Sequence, residues 1–131
     1  MSSSRQLAAI MFTDIVGYTA MMGDDEQKTF ELLKKNRDLH KPIIEEFGGR
    51  WIKELGDGLM ISFNTVTDAV RAALKIQEAT RLLNEFELRI GIHLGEVVFD
   101  NGDVFGDGVN IASRIQSQAK PGTIYISESV H

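Results

Sequence analysis

Two aspartates, Asp14 and Asp57, stand where carboxylates can do metal chemistry. Asp14 follows an apolar run, Leu7 to Phe12, and Asp57 lies in Gly56-Asp57-Gly58 between two strand-like segments. In a strand–helix–hairpin unit the first and third strands can lie side by side, bringing both carboxylates to one end of a sheet. Paired carboxylates with open coordination positions are what Mg2+ uses when it also holds substrate phosphates. Each residue also has an ordinary alternative: Asp in Gly-Asp-Gly serves the turn, and Asp after a strand serves as a cap. Lys53 alternates with Trp51 and Leu55, which predicts that it shares a face with two large apolar residues. It either snorkels at the core edge or donates into a partly dry cleft. Asn110 and Arg114 stand one turn apart on a predicted helix and point the same way, with Ile111, Ile115 and Ala119 on a separate, buried face. They read as exposed polar residues or, through the guanidinium, as a phosphate contact. Asp103, just after Asn101-Gly102, reads as a loop acid.

Other chemistries lack their residues. There is no G-x-x-x-x-G-K-[ST], and Gly106-Asp107-Gly108 is too short for a dinucleotide fingerprint. His40, His93 and His131 lack metal-ligand spacing, and with no cysteine a zinc site is disfavoured. No Ser/His/Asp arrangement stands out. His93-Leu94-Gly95-Glu96 reads as a place of close packing or a bend.

The elements that must position these groups follow from periodicity. Leu7 to Phe12 is apolar on both alternating faces, as in a central strand, and ends at Thr13-Asp14. Asp24 and Asp25 start a helix that Gly48-Gly49 stops, with a kink or break expected at Pro42. Arg50 to Leu55 and Leu59 to Phe63 form a hairpin. Thr65 or Thr67 caps a second long helix with Ala69, Ala72, Ala73, Ile76, Ala79 and Leu83 on one stripe. Phe86 to Ile92 alternate as a half-exposed strand that continues through Val97 to Phe99. A third helix runs from about Asp107 to Ala119, and Thr123 to Ile126 is a last strand. The order matches an α+β, ferredoxin-like split βαβ sandwich. Ser127-Glu128-Ser129 resembles a helix start, so the natural domain is expected to continue beyond His131.

The 131 residues fit one domain, and 43% hydrophobic with 25% charged residues fits a globular fold. A net charge of −5 argues against nonspecific nucleic-acid binding. No apolar run is long enough to span a bilayer, and the N-terminus lacks a secretion signal's apolar core, so the segment reads as cytoplasmic without membrane contact.

Taken together, Phe12-Thr13-Asp14-Ile15-Val16-Gly17-Tyr18-Thr19, Lys53-Glu54-Leu55-Gly56-Asp57-Gly58 and the stretch from Asp103-Val104-Phe105-Gly106-Asp107-Gly108 through Val109-Asn110-Ile111-Ala112-Ser113-Arg114 resemble the catalytic domain of class III adenylate/guanylate cyclases. The resemblance covers residues 1–131 as one domain, in the family's order and spacing. It implies that Asp14 and Asp57, with the backbone of Ile15, bind two Mg2+ or Mn2+ ions per site. The turn through Gly17, Tyr18 and Thr19 would face the triphosphate. Lys53 and Asp103 match the family's purine-reading pair in its adenine form; guanine-specific members carry Glu and a small residue such as Cys. Asn110 would orient the ribose, and Arg114 would stabilise charge on the α-phosphate.

The resemblance further implies a homodimer with two shared sites, Asp14 and Asp57 coming from one subunit and Lys53, Asp103, Asn110 and Arg114 from the other. The expected reaction converts ATP into 3′,5′-cyclic AMP and pyrophosphate. The family's domain carries more helix and strand after the last strand seen here, including a lysine that contacts the triphosphate. Two alternatives stay open: a catalytically silent nucleotide-binding or dimerisation module, and a guanylate cyclase, which Lys53 and Asp103 disfavour.

Overall fold

The computed structural model describes residues 4–127. Its elements are β1 (Ser4–Ile15), α1 (Tyr18–Asp24), α2 (Glu26–Glu46), β2 (Arg50–Leu55), β3 (Gly58–Phe63), α3 (Val66–Leu83), β4 (Leu88–Asp100), β5 (Asp103–Phe105), α4 (Asp107–Ser117) and β6 (Ile124–Ile126). The sheet order is β2-β3-β1-β4-β5, with β6 parallel to β4. β1 is antiparallel to both β3 and β4. The unit β1–α2–β2 is therefore split by β3, and β3–α3–β4 is split by β1. This is the expected α+β split βαβ sandwich.

The helix boundaries follow capping chemistry. The Asp25 side chain accepts from the Lys28 N–H at the start of α2, and Thr65, not Thr67, accepts from the Asp68 N–H at the start of α3. Pro42 does not break α2, which runs through it unbroken. The carbonyl of Asp38 loses its i+4 donor there, but Asp38 is exposed and can turn that oxygen to water. The proposed helix start at Ser127-Glu128-Ser129 falls largely outside the described residues.

Alternation along the central strands builds two cores. Ala9, Met11, Leu59, Ile61, Ile90 and Ile92 face α2 and α3, while Ala8, Ile10, Met60, Val97 and Phe99 face α4. Because both faces are covered, β4 is largely buried between Leu88 and Ile92 rather than half-exposed as its alternation predicts.

On the α2 side, His40 is fully buried against the end of β1. Its Nδ1 lies 2.7 Å from the Asn36 carbonyl oxygen and its Nε2 lies 3.2 Å from the Thr13 hydroxyl. A carbonyl only accepts, so Nδ1 carries the proton and Nε2 accepts from Thr13. Burial pushes the His40 pKa down to about 4 from 6.5.

The unfolded chain therefore takes up a proton between those values that the folded chain refuses. Stability contributed at this site is complete above pH 6.5 and is lost as pH falls toward 4, by about 3 kcal/mol. Thermal melts across this window should show a steeper acid loss for the parent chain than for His40→Gln. Equal slopes would contradict the buried neutral imidazole.

Candidate active site

The two aspartates do converge. β1 and β3 are neighbours with Thr13 opposite Leu59, so the end of β1 and the β2–β3 hairpin tip lie at one end of the sheet. Asp57 Oδ2 accepts from the backbone N–H of Ile15 at 2.9 Å, which fixes the carboxylate beside the residue that follows Asp14. Burial, and then the negative charge of Asp14, push the Asp57 carboxyl above its ordinary value, against the Ile15 N–H and Arg89, which pull it down. Asp14 Oδ1 is buried and has no hydrogen-bond donor among the described residues. Arg89 Nε, directly across the strand pair, stands 3.6 Å away, within ion-pair reach but too long for a hydrogen bond.

An orphaned carboxylate oxygen beside a second carboxylate that resists ionisation fits a divalent cation. Among the described residues no cluster of three or more His, Cys, Asp or Glu is placed to hold a metal. A two-carboxylate set is what Mg2+ uses when substrate phosphates complete its shell.

Lys53 does not share a face with Trp51. The register shifts between these residues, Trp51 pairing with Ile61 and Lys53 with Met60, so Ile52 is the extra residue of a β-bulge. Trp51 packs into the α2/α3 core, whereas Ile52 packs into the α4 core. The bulge resets the alternation, and Lys53 follows its partner Met60 onto the α4 face. Asp14, two residues beyond Phe12, lies on that same face of β1. Lys53 Nζ reaches both oxygens of Asp103, at 3.1 and 3.2 Å. Asp103 is in the short strand β5 rather than a loop. The Val104 N–H at 2.7 Å and then Lys53 hold its carboxyl below the ordinary range.

Gly17 initiates α1 at φ 75°, a left-handed conformation that favours glycine, with half-buried Tyr18 and exposed Thr19 following. Asn110 and Arg114 are exposed on α4. The helix buries Gly108, Ala112 and Gln116, while the expected buried residues Ile111 and Ile115 are only half-buried. The reason is a close approach: a Cβ at Gly91 of β4 would lie 2.4 Å from the Gln116 backbone nitrogen. With no side chain at Gly91, α4 backbone sits directly on the strand.

One chain thus holds three groups: Asp14, Ile15, Asp57 and Arg89; Lys53 and Asp103; and Asn110 and Arg114. Sequence reasoning missed Arg89, although its place in an alternating strand, opposite Asp14 once register is known, carried the signal.

The family model described as "Adenylate and Guanylate cyclase catalytic domain" matches residues 1–131. The chain is 37% identical to "Putative adenylate cyclase 3" of Rhizobium meliloti, covering 99% of this chain and 24% of that protein. It is 34% identical to an adenylate cyclase of Streptomyces coelicolor, covering 90% of this chain and 32% of that protein. The chain therefore spans 24% and 32% of the lengths of these two relatives. The crystal structure of an adenylate/guanylate cyclase/hydrolase from Silicibacter pomeroyi superposes with TM-score 0.92 at 37% identity, covering 99% of this chain and 80% of that one. The catalytic core of a rhodopsin-guanylyl cyclase with converted specificity, in complex with ATPαS, gives TM-score 0.92 at 26% identity, covering 99% and 82%.

Two substitutions test the geometry. Asp57→Asn keeps an acceptor for the Ile15 N–H and removes one charge. The cation-free melting temperature should hold or rise, and stabilisation by Mn2+ should vanish; a lower cation-free value contradicts the like-charge account. Gly91→Ala forces α4 outward and should cost about 1–3 kcal/mol in urea unfolding. Unchanged stability would contradict the contact.

Proposed function

The chain belongs to the adenylate and guanylate cyclase catalytic-domain family, and from that premise we propose that it is an ATP-specific cyclase domain with active sites shared across a homodimer. The observation that carries this reading is the meeting of Asp14 and Asp57 at one end of the sheet, with Asp57 anchored on Ile15. Asp14, Asp57 and the backbone of Ile15 would hold Mg2+ or Mn2+, two ions per site. Bound there, divalent cations supply acidity to the ribose 3′-hydroxyl and neutralise triphosphate charge.

The nucleophile belongs to the substrate, so this chain's residues position and stabilise. The turn through Gly17, Tyr18 and Thr19 faces the triphosphate. Lys53 donates to purine N1, and Asp103 accepts from the exocyclic amine of adenine. This requires the two to exchange part of their mutual ion pair for the base. Asn110 orients the ribose so that its 3′-oxygen attacks the α-phosphorus in line. The new 3′-O–P bond forms as the bond to pyrophosphate breaks, and the hydroxyl proton leaves to solvent. Arg114 offsets the charge that grows on the α-phosphate.

A second copy would bring its own exposed Asn110 and Arg114 to the aspartates and so complete each site. Leu55 and Phe105, 63% and 52% exposed, flank the two halves and offer apolar surface for that copy to cover.

Sharing has a direct consequence. Asp57→Asn and Arg114→Ala should each be inactive alone, because each spoils both sites. An equal mixture should recover about a quarter of parental cyclic-AMP production from Mn2+–ATP, because half the dimers carry one intact site. No recovery, with exchange of subunits verified, contradicts shared sites. Lys53→Glu with Asp103→Cys should move preference toward GTP. No product from either nucleotide in the parent chain would instead favour a silent nucleotide-binding module.

A further inference from the structure

Lys53 lies on the sheet's edge strand: among the described residues β2 pairs with β3 alone, and the bulge at Ile52 interrupts that pairing immediately before Lys53. An edge strand with a bulge is the least constrained place in a sheet. A base-reading side chain there needs a tether. The same bulge that sends Lys53 to the α4 face sends its neighbour Glu54 to the opposite face, toward α2. There Arg37 grips it with two parallel bonds, Nε to Oε1 at 3.1 Å and Nη2 to Oε2 at 3.0 Å. Both side chains are partly buried, with 38% and 25% exposure, and the fork geometry fixes direction as well as distance.

We propose that Arg37 and Glu54 are positioning residues for purine recognition: their bidentate bridge from α2 clamps the bulged end of β2 and thereby sets where Lys53 meets the base. Neither residue touches nucleotide. They act through the backbone of Glu54, whose neighbour carries the reading ammonium. The inference rests on the adenine reading above, in which Lys53 donates to the purine ring. On release from Asp103, Lys53 stays aligned only if its strand is held from the other face.

The test is the ATP/GTP ratio of kcat/KM in the full chain with Mn2+, with melting temperature measured alongside. Arg37→Lys keeps the charge and removes the fork, and Glu54→Gln keeps the shape and removes the charge. Each should raise KM for ATP and lower the ATP/GTP ratio about 10-fold while changing kcat for ATP far less. The reversed pair, Arg37→Glu with Glu54→Arg, should recover much of the ratio. Variants that lose thermal stability but keep the parental ratio would overturn the inference and leave a purely structural bridge. A parent chain with no preference for ATP, or with no product, would overturn the adenine reading itself, and this inference with it.

Discussion

The structure is organised around holding the Asp57 carboxylate beside a like charge. Asp57 sits at a hairpin tip, partly withdrawn from water and near Asp14, and both effects resist its ionisation. What holds it is the backbone N–H of Ile15, with Arg89 offering opposite charge from the next strand. An Asp57 carboxylate kept in this state retains free energy that a cation bound there would recover. Sites of this kind are commonly traded against stability.

That placement depends on topology more than on local sequence. β1 lies between β3 and β4, so one strand end meets both the hairpin that carries Asp57 and the strand that carries Arg89. The remaining groups are set by two departures from regular geometry. The bulge at Ile52 turns Lys53 onto the face of Asp14, and the absence of a side chain at Gly91 lets α4 rest on β4 with Asn110 and Arg114 turned outward. Their outward aim is what makes a second copy necessary in the proposed reaction.

Much of this was legible in the sequence because it rests on patterns with a fixed period or a fixed cap. The strand alternation, the Thr65 and Asp25 caps, the Gly56-Asp57 turn and the α3 stripe all predict their elements. From these the split βαβ order and the meeting of Asp14 with Asp57 follow. What stayed hidden depends on register. Simple alternation places Lys53 beside Trp51, and only the pairing of β2 with β3 reveals the extra residue between them. Arg89 became visible as a site residue once Asp14 was found opposite it. Of the buried face expected for α4, Ala119 is buried, but apolar size points to Ile111 and Ile115 where contact distance at Gly91 selects Gly108, Ala112 and Gln116. Of the kink or break expected at Pro42, the break does not occur, because the apolar contacts of Ile43 and Ile44 with the core carry the helix on.

In the proposed reaction Asp14 and Asp57 grip a common cation pair. The most direct measurement is diffraction at the manganese absorption edge from crystals grown with Mn2+ and a non-cyclisable ATP analogue. Shared coordination predicts anomalous peaks between the two carboxylates, at coordination distance from oxygens of both. Manganese elsewhere, or bound by only one of the two aspartates, would contradict it.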